Sequence, residues 1–370
     1  MEQSTACAGS VLACSHGFIR CPVIVAASVN EEMACPDGQV IEGEEEFVWG
    51  EKNIVLGMNS FSLKPGEEVF EITAFSGRKI KFCGINVQRI PAGSSLNTAF
   101  VLKELDVDSV AVLAPIGTGR TGESLALAMQ AKGFETLLCH REGTARTLNI
   151  RHANGDSTLF LEKPPYTVGQ DTRAILQQAR PRIVIGTGVK SMDMPLIQEL
   201  FNRQGVIKVF NPSSELIVDA ELRERWQALV AEADLLQVNL VEASKILGRK
   251  FDKAGDIFEI SKLGANITIV TMREKGAILL EKGSKEPIVQ PGFPVSSKDS
   301  SGAGDAHLAA FVYYRYLNER HAPVAVCFTM AGWLASGKAA SFGPWSGIAK
   351  KEKRRAKLFE FWPEGNKEAK

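Results

Sequence analysis

Short apolar runs alternate with helical patterns along most of this 370-residue chain, and this alternation limits the folds open to it. The runs are rich in Val, Ile and Leu and occupy residues 54–56, 109–113, 182–185, 206–210, 235–238 and 267–270. Strands separated by helices form parallel sheets with helices packed on both faces. The sequence therefore predicts an α/β fold with a doubly wound, mostly parallel sheet. Ligands of such sheets bind at the carboxyl ends of the strands.

A glycine-rich turn followed by a carboxylate stands at the start of a predicted helix, in the segment KDSSGAGDAHLAAF at residues 298–311. Gly302, Ala303 and Gly304 let the backbone approach a ligand closely, and the unpaired N–H groups of a first helical turn attract an anion. Asp305 would then lie beside that anion and take the proton of an attacking hydroxyl. The pattern indicates phosphoryl transfer. An ordinary helix N-cap, with Asp305 favoured by the helix dipole, is the other interpretation.

Four segments resemble motifs of the ribokinase-like (PfkB) carbohydrate kinases and occur in that family's order. Residues 299–305 are similar to its D-[ST]-x-GAGD element, 91–99 to its substrate motif G-G-x-x-x-N-x-A, and 239–242 to N-x-x-E. Residues 270–277 resemble the strand and turn that line the nucleotide. The resemblance implies a ribokinase-like fold and an ATP-dependent phosphotransferase that acts on an alcohol group of a sugar or sugar phosphate. In that family the aspartate of the GAGD element is the general base, and its small residues form the anion hole.

For the nucleotide and the metal, the resemblance implies that Asn239, Thr271, Arg273 and Gly276 contact ATP. Arg273 stands where many members have glycine. Glu242 would bind Mg²⁺ indirectly, through the metal's water shell, and Mg²⁺ would neutralise charge on the transferring group. Asn239 and Glu242 also have the spacing of a capping box, so a plain helix N-terminus is the other interpretation, and both can hold together.

For the acceptor, the resemblance implies that Gly93 and Asn97 bind sugar hydroxyls. The residues around Arg146 resemble the 1-phosphofructokinase and tagatose-6-phosphate kinase branch, in which an arginine there faces the substrate. A cross-strand charge on a solvated hairpin is the other interpretation. That branch has a lysine where this chain has Ser94, and the family's first strand ends near an aspartate, whereas the residues after run 54–56 offer neutral groups such as Asn59. The acceptor stays open.

Composition divides the chain into three parts. Residues 1–53 contain four of the seven cysteines and an acidic run, and they are interpreted as an N-terminal extension of unknown role. Residues 54–360 are expected to form the kinase domain, and residues 361–370 a C-terminal tail.

Two segments of the predicted domain interrupt the alternation. Residues 66–92 and 146–162 are rich in strand formers and contain hairpin-like turns at 76–78 and 154–156. In the family, strands from these regions form a small β-lid over the sugar, and some members dimerise through it. The resemblance therefore predicts a lid and allows a homodimer.

The charge balance gives no indication of a polyanionic partner. Lys plus Arg and Asp plus Glu number 43 each, so nucleic acid is disfavoured, and the basic cluster at 350–357 is interpreted as the solvated face of a helix. The cysteines lack the spacing of a zinc site, which favours reduced thiols. With no basic leader pattern and no apolar run of about 20 residues, the sequence predicts a cytoplasmic protein without a membrane partner.

Two other functions stay open. One is a nucleoside kinase of the same fold. The other is a catalytically weak relative that binds nucleotide or sugar and acts as a partner protein. The altered acceptor residues favour this second alternative, whereas the intact segment 302–305 disfavours it because an unused base has no mechanical role there.

Overall fold

The computed structural model describes residues 23–27, 30–35, 39–43, 47–49, 52–54, 67–73, 79–85, 88–117, 119–141, 143–151, 157–162, 173, 176, 180–341, 343 and 346–366. The strands within them are β1 Val23–Ala27, β2 Asn30–Cys35, β3 Gln39–Gly43, β4 Phe47–Trp49, β5 Lys52–Ile54, β6 Glu67–Thr73, β7 Lys79–Ile85, β8 Gln88–Ala92, β9 Val110–Gly117, β10 Glu135–Arg141, β11 Arg146–Arg151, β12 Ser157–Glu162, β13 Ile183–Val189, β14 Ile207–Pro212, β15 Leu235–Asn239, β16 Ile267–Thr271, β17 Ala277–Glu281 and β18 Ile288–Gln290.

The α-helices of the same residues are α1 Ser94–Glu104, α2 Arg120–Ala131, α3 Met194–Phe201, α4 Ser214–Val218, α5 Arg223–Ala231, α6 Leu240–Leu247, α7 Ile257–Ser261, α8 Ala303–Val312, α9 Val324–Ala339 and α10 Lys351–Phe361. Short 3₁₀ turns occupy Ser191–Asp193, Ala254–Asp256, Arg273–Lys275 and Pro363–Asn366, and a π-helical turn, Tyr313–Leu317, follows α8. In the described part of the chain, no helix has the length and apolar character needed to cross a membrane.

The main sheet has nine strands in the order β10-β9-β1-β13-β14-β15-β16-β17-β18. Every pair from β10 to β16 is parallel, and only β17 and β18 join in antiparallel fashion. Strands that are parallel and buried on both faces appear in a sequence as short continuous apolar runs. The predicted α/β fold with a doubly wound, mostly parallel sheet is confirmed.

Helices cover both faces of this sheet and form two separate cores. Along β1, Val23 and Val25 pack into the core that contains α1, α8 and α9, whereas Ile24 and Ala26 pack into the core on the opposite face. All four residues are fully buried. Because burying an aliphatic side chain contributes about 1.5–3 kcal/mol, β1 is a major source of stability.

The position of β1 overturns the expected domain boundary at residues 53 and 54. Val23–Ala27 lies between β9 and β13, in the middle of the sheet, so the kinase domain begins at least 30 residues earlier than predicted. Ile54 ends the short strand β5, which pairs only with β4 in the described residues. Residues 1–53 were interpreted as an extension because of their acidic and cysteine-rich composition, although they contain the apolar run of β1, which belongs to the core.

At the C-terminal end, α10 extends through Phe361, so the expected start of the tail at 361 is also wrong.

A four-stranded sheet, in the order β12-β11-β2-β8, corresponds to the predicted lid. β11 and β12 pair antiparallel, as the sequence around Asn154 and Gly155 predicts, although that turn lies outside the described residues. β6 and β7 also form the predicted hairpin, but they join β3 in a separate three-stranded sheet. The prediction missed β2, which comes from the segment interpreted as an extension. Dimerisation through the lid stays a prediction.

Candidate active site

The turn before α8 owes its shape to a glycine. Gly302 has φ 77°, a left-handed conformation that side chains disfavour, and α8 begins at the next residue. The Ala303 N–H donates to the Ser300 carbonyl at 3.1 Å, so that amide is used within the turn. The N–H groups of Gly304 and Asp305 belong to the first helical turn, where intrahelical acceptors are missing. The helix start therefore offers two donors to an anion beside a carboxylate.

The Asp305 carboxylate is held by α1, which begins after Gly93. Gly93 has φ 102°, and this conformation turns the chain from β8 into α1. Asn97 Nδ2 then donates to Asp305 Oδ2 at 2.9 Å. Burial raises the pKa of Asp305 to about 6, while hydrogen bonds from Asn97 and Ser94 and the positive charge of Lys338 act in the opposite direction. A carboxylate with this pKa is ionised at neutral pH and can accept a proton.

A cleft of about 250 Å³ opens above Asp305 at the carboxyl ends of the central strands. Its lining residues are Ser94, Gly188, Lys190, Asn211, Pro212, Ser213, Gln237, Asn239, Glu242, Thr271, Gly304 and Asp305. A Cβ atom built on Gly304 would meet no protein atom within 4 Å. The absence of a side chain at 304 therefore leaves room for a ligand rather than for a neighbouring protein group.

A series of hydrogen-bonded polar side chains lies beneath this cleft. Thr187 Oγ1 donates to Asn211 Oδ1 at 3.0 Å, and Asn211 Nδ2 donates to the Gln237 carbonyl at 2.8 Å. Gln237 Nε2 donates to the Gly304 carbonyl at 3.0 Å. His307 Nδ1 lies 2.8 Å from Gln237 Oε1, and burial lowers the pKa of His307 to about 4, so a neutral imidazole donates this bond. These hydrogen bonds fix the position of Gly304 relative to the carboxyl ends of β13, β14 and β15.

The sequence interpretation missed Gln237 and His307. Gln237 interrupts the buried run of β15, and His307 stands in the apolar sequence of α8. A polar residue in a fully buried element needs a hydrogen-bond partner, and that was the available signal. The partner itself lies 70 positions away in sequence, which only the fold reveals.

Asn239 and Glu242 form a complete capping box at the start of α6. Asn239 Oδ1 accepts from the N–H groups of Val241 and Glu242 at 2.9 and 3.0 Å, and Glu242 Oε2 accepts from Asn239 N–H at 2.8 Å. The capping interpretation is therefore confirmed, and both side chains also line the cleft. Burial raises the pKa of Glu242 to about 7.

The residues expected at the nucleotide divide into two groups. Thr271, the last residue of β16, lines the cleft, whereas Arg273 and Gly276 do not. Gly276 has φ 96°, and a Cβ there would lie 2.0 Å from the Gln290 carbonyl, so packing alone requires this glycine. Arg273 has φ 54°, a conformation that glycine adopts freely and other residues adopt at a cost of about 1 kcal/mol. This conformation explains why glycine suits the position.

The residues expected at the acceptor are only partly described. Asn97 is buried, its Oδ1 has no hydrogen-bond partner among the described residues, and it is not among the residues that line the cleft. Arg146 begins β11, where its backbone is in register with Glu31 of β2 and Glu162 of β12. Asn59 lies outside the described residues, and its assignment assumed that the first strand ends near residue 56, which is wrong.

A larger depression of about 460 Å³ lies at the opposite, amino-terminal edge of the sheet, beside β14 and β15. Two of its charged side chains pair with each other, Lys208 and Glu232, with Nζ and Oε2 2.7 Å apart. Parallel sheets bind ligands at the carboxyl ends of their strands. The smaller cleft at Asp305 is therefore the candidate active site.

The fold and this cleft define an α/β protein in which a helix start lies next to a carboxylate at the carboxyl ends of the sheet strands. The sequence matches the pfkB family carbohydrate kinase over residues 70–350, so the chain belongs to the pfkB family of carbohydrate kinases. The resemblance to this family is confirmed. The activity and the 1-phosphofructokinase branch stay predictions.

Individual relatives agree with this family. The deoxyribokinase of Salmonella typhi is 29% identical over 120 residues, which cover 31% of this chain and only 37% of the relative. The structure of ribokinase from Giardia lamblia is similar with a TM-score of 0.67 at 13% identity, covering 91% of this chain and 99% of that chain. Arabidopsis thaliana ribokinase complexed with ribose and ATP gives a TM-score of 0.65 at 17% identity, covering 92% and 99%. These structural likenesses show the fold.

Proposed function

We propose that the protein transfers the γ-phosphoryl group of ATP to an alcohol group of a sugar, with Asp305 as general base and the turn 302–304 as anion hole. The observation that carries this proposal is the position of Asp305. Its carboxylate is fixed by Asn97 at 2.9 Å, on the first turn of α8, at the floor of a cleft. A base must lie within hydrogen-bond reach of the hydroxyl that it deprotonates, and the same helix start stabilises the negative charge of the transferring group.

ATP and Mg²⁺ fit the side of the cleft formed by β15 and β16. Thr271 supplies a hydroxyl there, and Glu242 supplies a carboxylate, the kind of oxygen donor that Mg²⁺ and its water shell prefer. One Glu242 oxygen accepts the capping hydrogen bond, so the second would be the one that faces the water shell of the metal. When bound, Mg²⁺ would neutralise charge on the phosphates. We expect the protein to act in the cytoplasm, where ATP is abundant and thiols stay reduced.

The acceptor side supports a neutral sugar rather than a sugar phosphate. In the lid, the backbone of Arg146 is in register with the backbones of two acidic residues, Glu31 and Glu162. The strand order therefore places acidic residues on both sides of the one basic residue expected to bind a phosphate. The corrected first strand is followed by Glu31 and Glu32, so acidic groups are present near the position where the family has its sugar-binding aspartate. Carboxylates favour hydroxyl donors and repel phosphate. The names of the relatives, ribokinase and deoxyribokinase, support the same acceptor class.

An acceptor panel with Mg-ATP tests the proposal. Ribose, 2-deoxyribose and fructose represent neutral sugars, fructose 6-phosphate and tagatose 6-phosphate represent sugar phosphates, and adenosine represents nucleosides. We expect ADP formation with at least one neutral sugar, at a kcat/KM about tenfold or more above that of any sugar phosphate. A mock preparation from cells that do not express the protein is the control that separates this activity from a contaminating kinase.

Each other outcome has a defined meaning. Preferred turnover of a sugar phosphate, lost in Arg146→Ala, would show that Arg146 binds the acceptor and that the neutral-sugar proposal is wrong. Preferred turnover of adenosine would assign a nucleoside kinase. Binding of sugar or nucleotide in a thermal-shift assay without turnover of any acceptor would support the catalytically weak partner protein instead.

A further inference from the structure

Among the described residues that line the cleft of Asp305, Lys190 is the only one with a positively charged side chain. The other charged lining residues are the carboxylates Glu242 and Asp305. Phosphoryl transfer depends on positive charge and hydrogen-bond donors around the oxygens of the transferring group. A cleft with two carboxylates repels such a group unless a cation offsets them. The chemistry described above gives this cation no role.

A bulge at the end of β13 places Lys190 on the cleft. The pairing of β13 with β14 changes register between Thr187 and Val189, and Gly188 between them has φ 62°. Bulges of this kind re-aim the side chains that follow them. Val189 is fully buried, whereas Gly188 and Lys190 on either side of it both line the cleft. The Lys190 N–H donates to Asp193 Oδ2 at 3.0 Å, which fixes the backbone at this position.

The Lys190 side chain is held at the edge of the cleft by a loose ion pair. Its Nζ lies 3.8 Å from Glu215 Oε2, and only 14% of the side chain is exposed. This separation is too long for a direct hydrogen bond. Lys208, at the opposite edge of the sheet, is 15% exposed and lies 2.7 Å from Glu232 Oε2. The contact of Lys190 is therefore the looser of the two, and a phosphate oxygen beside its ammonium would be a stronger acceptor.

We propose that Lys190 binds the γ-phosphoryl group of ATP during its transfer and is a further catalytic residue of this cleft. Lys190 follows β13, and Thr271 ends β16, three strands along the same sheet edge. Gly304, at the start of α8, is bonded to Gln237 of β15, between these two sides. A phosphoryl group at the helix start therefore has Lys190 on one side and the proposed nucleotide site on the other. The inference rests on the proposed kinase function.

The role of Lys190 in the transfer is to hold charge, not to move a proton. The acceptor hydroxyl gives its proton to Asp305 while its oxygen forms the bond to the γ-phosphorus. The bond between this phosphorus and the β,γ-bridging oxygen breaks, and that oxygen keeps the electron pair as part of ADP. Lys190 keeps its proton throughout and donates to the oxygens of the moving group. The helix start donates to the same group, so its charge meets donors from two directions.

Nucleotide binding tests the inference without an acceptor. ADP and β,γ-methylene ATP, a non-hydrolysable analogue, differ by the γ-phosphoryl group. With Mg²⁺ present, we expect Lys190→Met to lower the affinity for the analogue by about tenfold or more and to leave the affinity for ADP within about twofold. Lys190→Arg should keep most of the analogue affinity, because a guanidinium also donates to phosphate. Lys208→Met, which removes an equally buried lysine away from the cleft, is the matched control and should change neither affinity.

Two further variants separate this role from a purely structural one. Glu215→Gln removes the ion pair but keeps the lysine, so it should keep the affinity for the analogue. Lys190→Met/Glu215→Gln removes both charges and is measured in the same way, with the same expectation as Lys190→Met, if that single variant does not fold. An equal loss for ADP and the analogue in the Lys190 variants, or a loss in Glu215→Gln as large as in Lys190→Met, would overturn the inference.

Kinetics on an acceptor that the wild type phosphorylates give the second readout. We expect Lys190→Met to lower kcat by about 10²-fold or more, with little change in the KM of the acceptor, and Lys190→Arg to restore part of the rate. A change confined to the KM of the acceptor would show that Lys190 binds the acceptor instead, and the inference would be wrong.

The inference and the kinase proposal fail in different ways. Wild-type kinetics and nucleotide binding that Lys190→Met leaves unaltered would contradict the inference alone. Analogue binding that depends on Lys190, without turnover of any acceptor, would contradict the kinase proposal and leave the assignment of Lys190 to the γ-phosphoryl group standing. A wild type that binds neither nucleotide would contradict both.

Discussion

The pKa of Asp305 gives the first prediction at the scale of the single residue. Burial raises this pKa to about 6, and the base must be ionised to accept a proton. We therefore expect kcat/KM for the acceptor to rise with pH through about 6 and to fall about tenfold for each pH unit below that value. Steady-state kinetics between pH 5 and pH 8, with the acceptor well below its KM, measure this limb.

Stability should change with pH in the opposite direction, which provides the control. A carboxyl group whose pKa is raised on folding contributes stability that is complete below its unfolded pKa of about 3.9 and is lost as pH rises through about 6. Loss of activity at pH 5 therefore cannot result from unfolding through this group. A flat activity profile between pH 5 and pH 7 would contradict the assignment of Asp305 as the base.

A substitution at Gly304 should change ligand binding without lowering the free energy of unfolding. No protein atom would meet a Cβ at this position, and alanine has a higher helix propensity than glycine by about 1 kcal/mol. We expect Gly304→Ala to leave the free energy of unfolding unchanged or slightly increased, yet to lower kcat/KM by about tenfold or more, because the methyl group occupies the anion site. Denaturant unfolding and kinetics on the same preparation measure both quantities. Full activity in the folded variant would remove 304 from the anion hole.

At this scale, the tight turn before α8 could be predicted from local sequence, because the glycines around Gly302 and the helix after it have a local signature. Hydrogen bonds between distant segments could not be predicted in this way. Gln237 and Lys338 were missed because the residues that they bond, Gly304 and Asp299, lie 67 and 39 positions away in sequence. Asn97 was assigned to the sugar, but its Nδ2 bonds Asp305, a contact across 208 positions.

At the scale of the element, the start of α6 combines a cap with the proposed metal site. Glutamine serves a capping box as well as glutamate does, so Glu242→Gln should keep the helix start and the stability of the protein. Loss of the negative charge should raise the Mg²⁺ concentration for half-maximal rate by about tenfold or more. Kinetics at a series of Mg²⁺ concentrations measure this change. An unchanged Mg²⁺ requirement would leave Glu242 as a helix cap only.

The strands that are buried on both faces of the sheet were the elements predicted best from the sequence. Runs 206–210, 235–238 and 267–270 agree with β14, β15 and β16 to within two residues at each end. The lid was harder, because its strands pair across the chain: β2 inserts between β8 and β11. Half-buried strands have weak patterns, and the partner of each is fixed by the global fold rather than by local sequence.

At the scale of the whole molecule, the fold depends on a strand that lies outside the segment matched to the family. The family match begins at residue 70, whereas β1 occupies Val23–Ala27 in the middle of the sheet. We expect a chain that starts at residue 54 to be insoluble or unfolded, since burial of β1 contributes an amount comparable with the stability of a typical domain, about 5–15 kcal/mol. A chain that starts at residue 21 keeps β1 and is the matched control.

Circular dichroism and thermal unfolding of the two truncated chains measure this dependence. A cooperative unfolding transition in the chain that starts at residue 54 would show that the sheet forms without β1.

The central claim is that Asp305 is the general base of a kinase whose anion hole is the start of α8, and the kinetics of Asp305→Asn test it most directly. Asparagine keeps the size of the side chain and the backbone donors but cannot accept the proton. On the acceptor with the highest kcat/KM, we expect kcat to fall by about 10²- to 10⁴-fold, with little change in ATP affinity and with loss of the acid limb near pH 6. Near-wild-type turnover by folded Asp305→Asn would contradict the account.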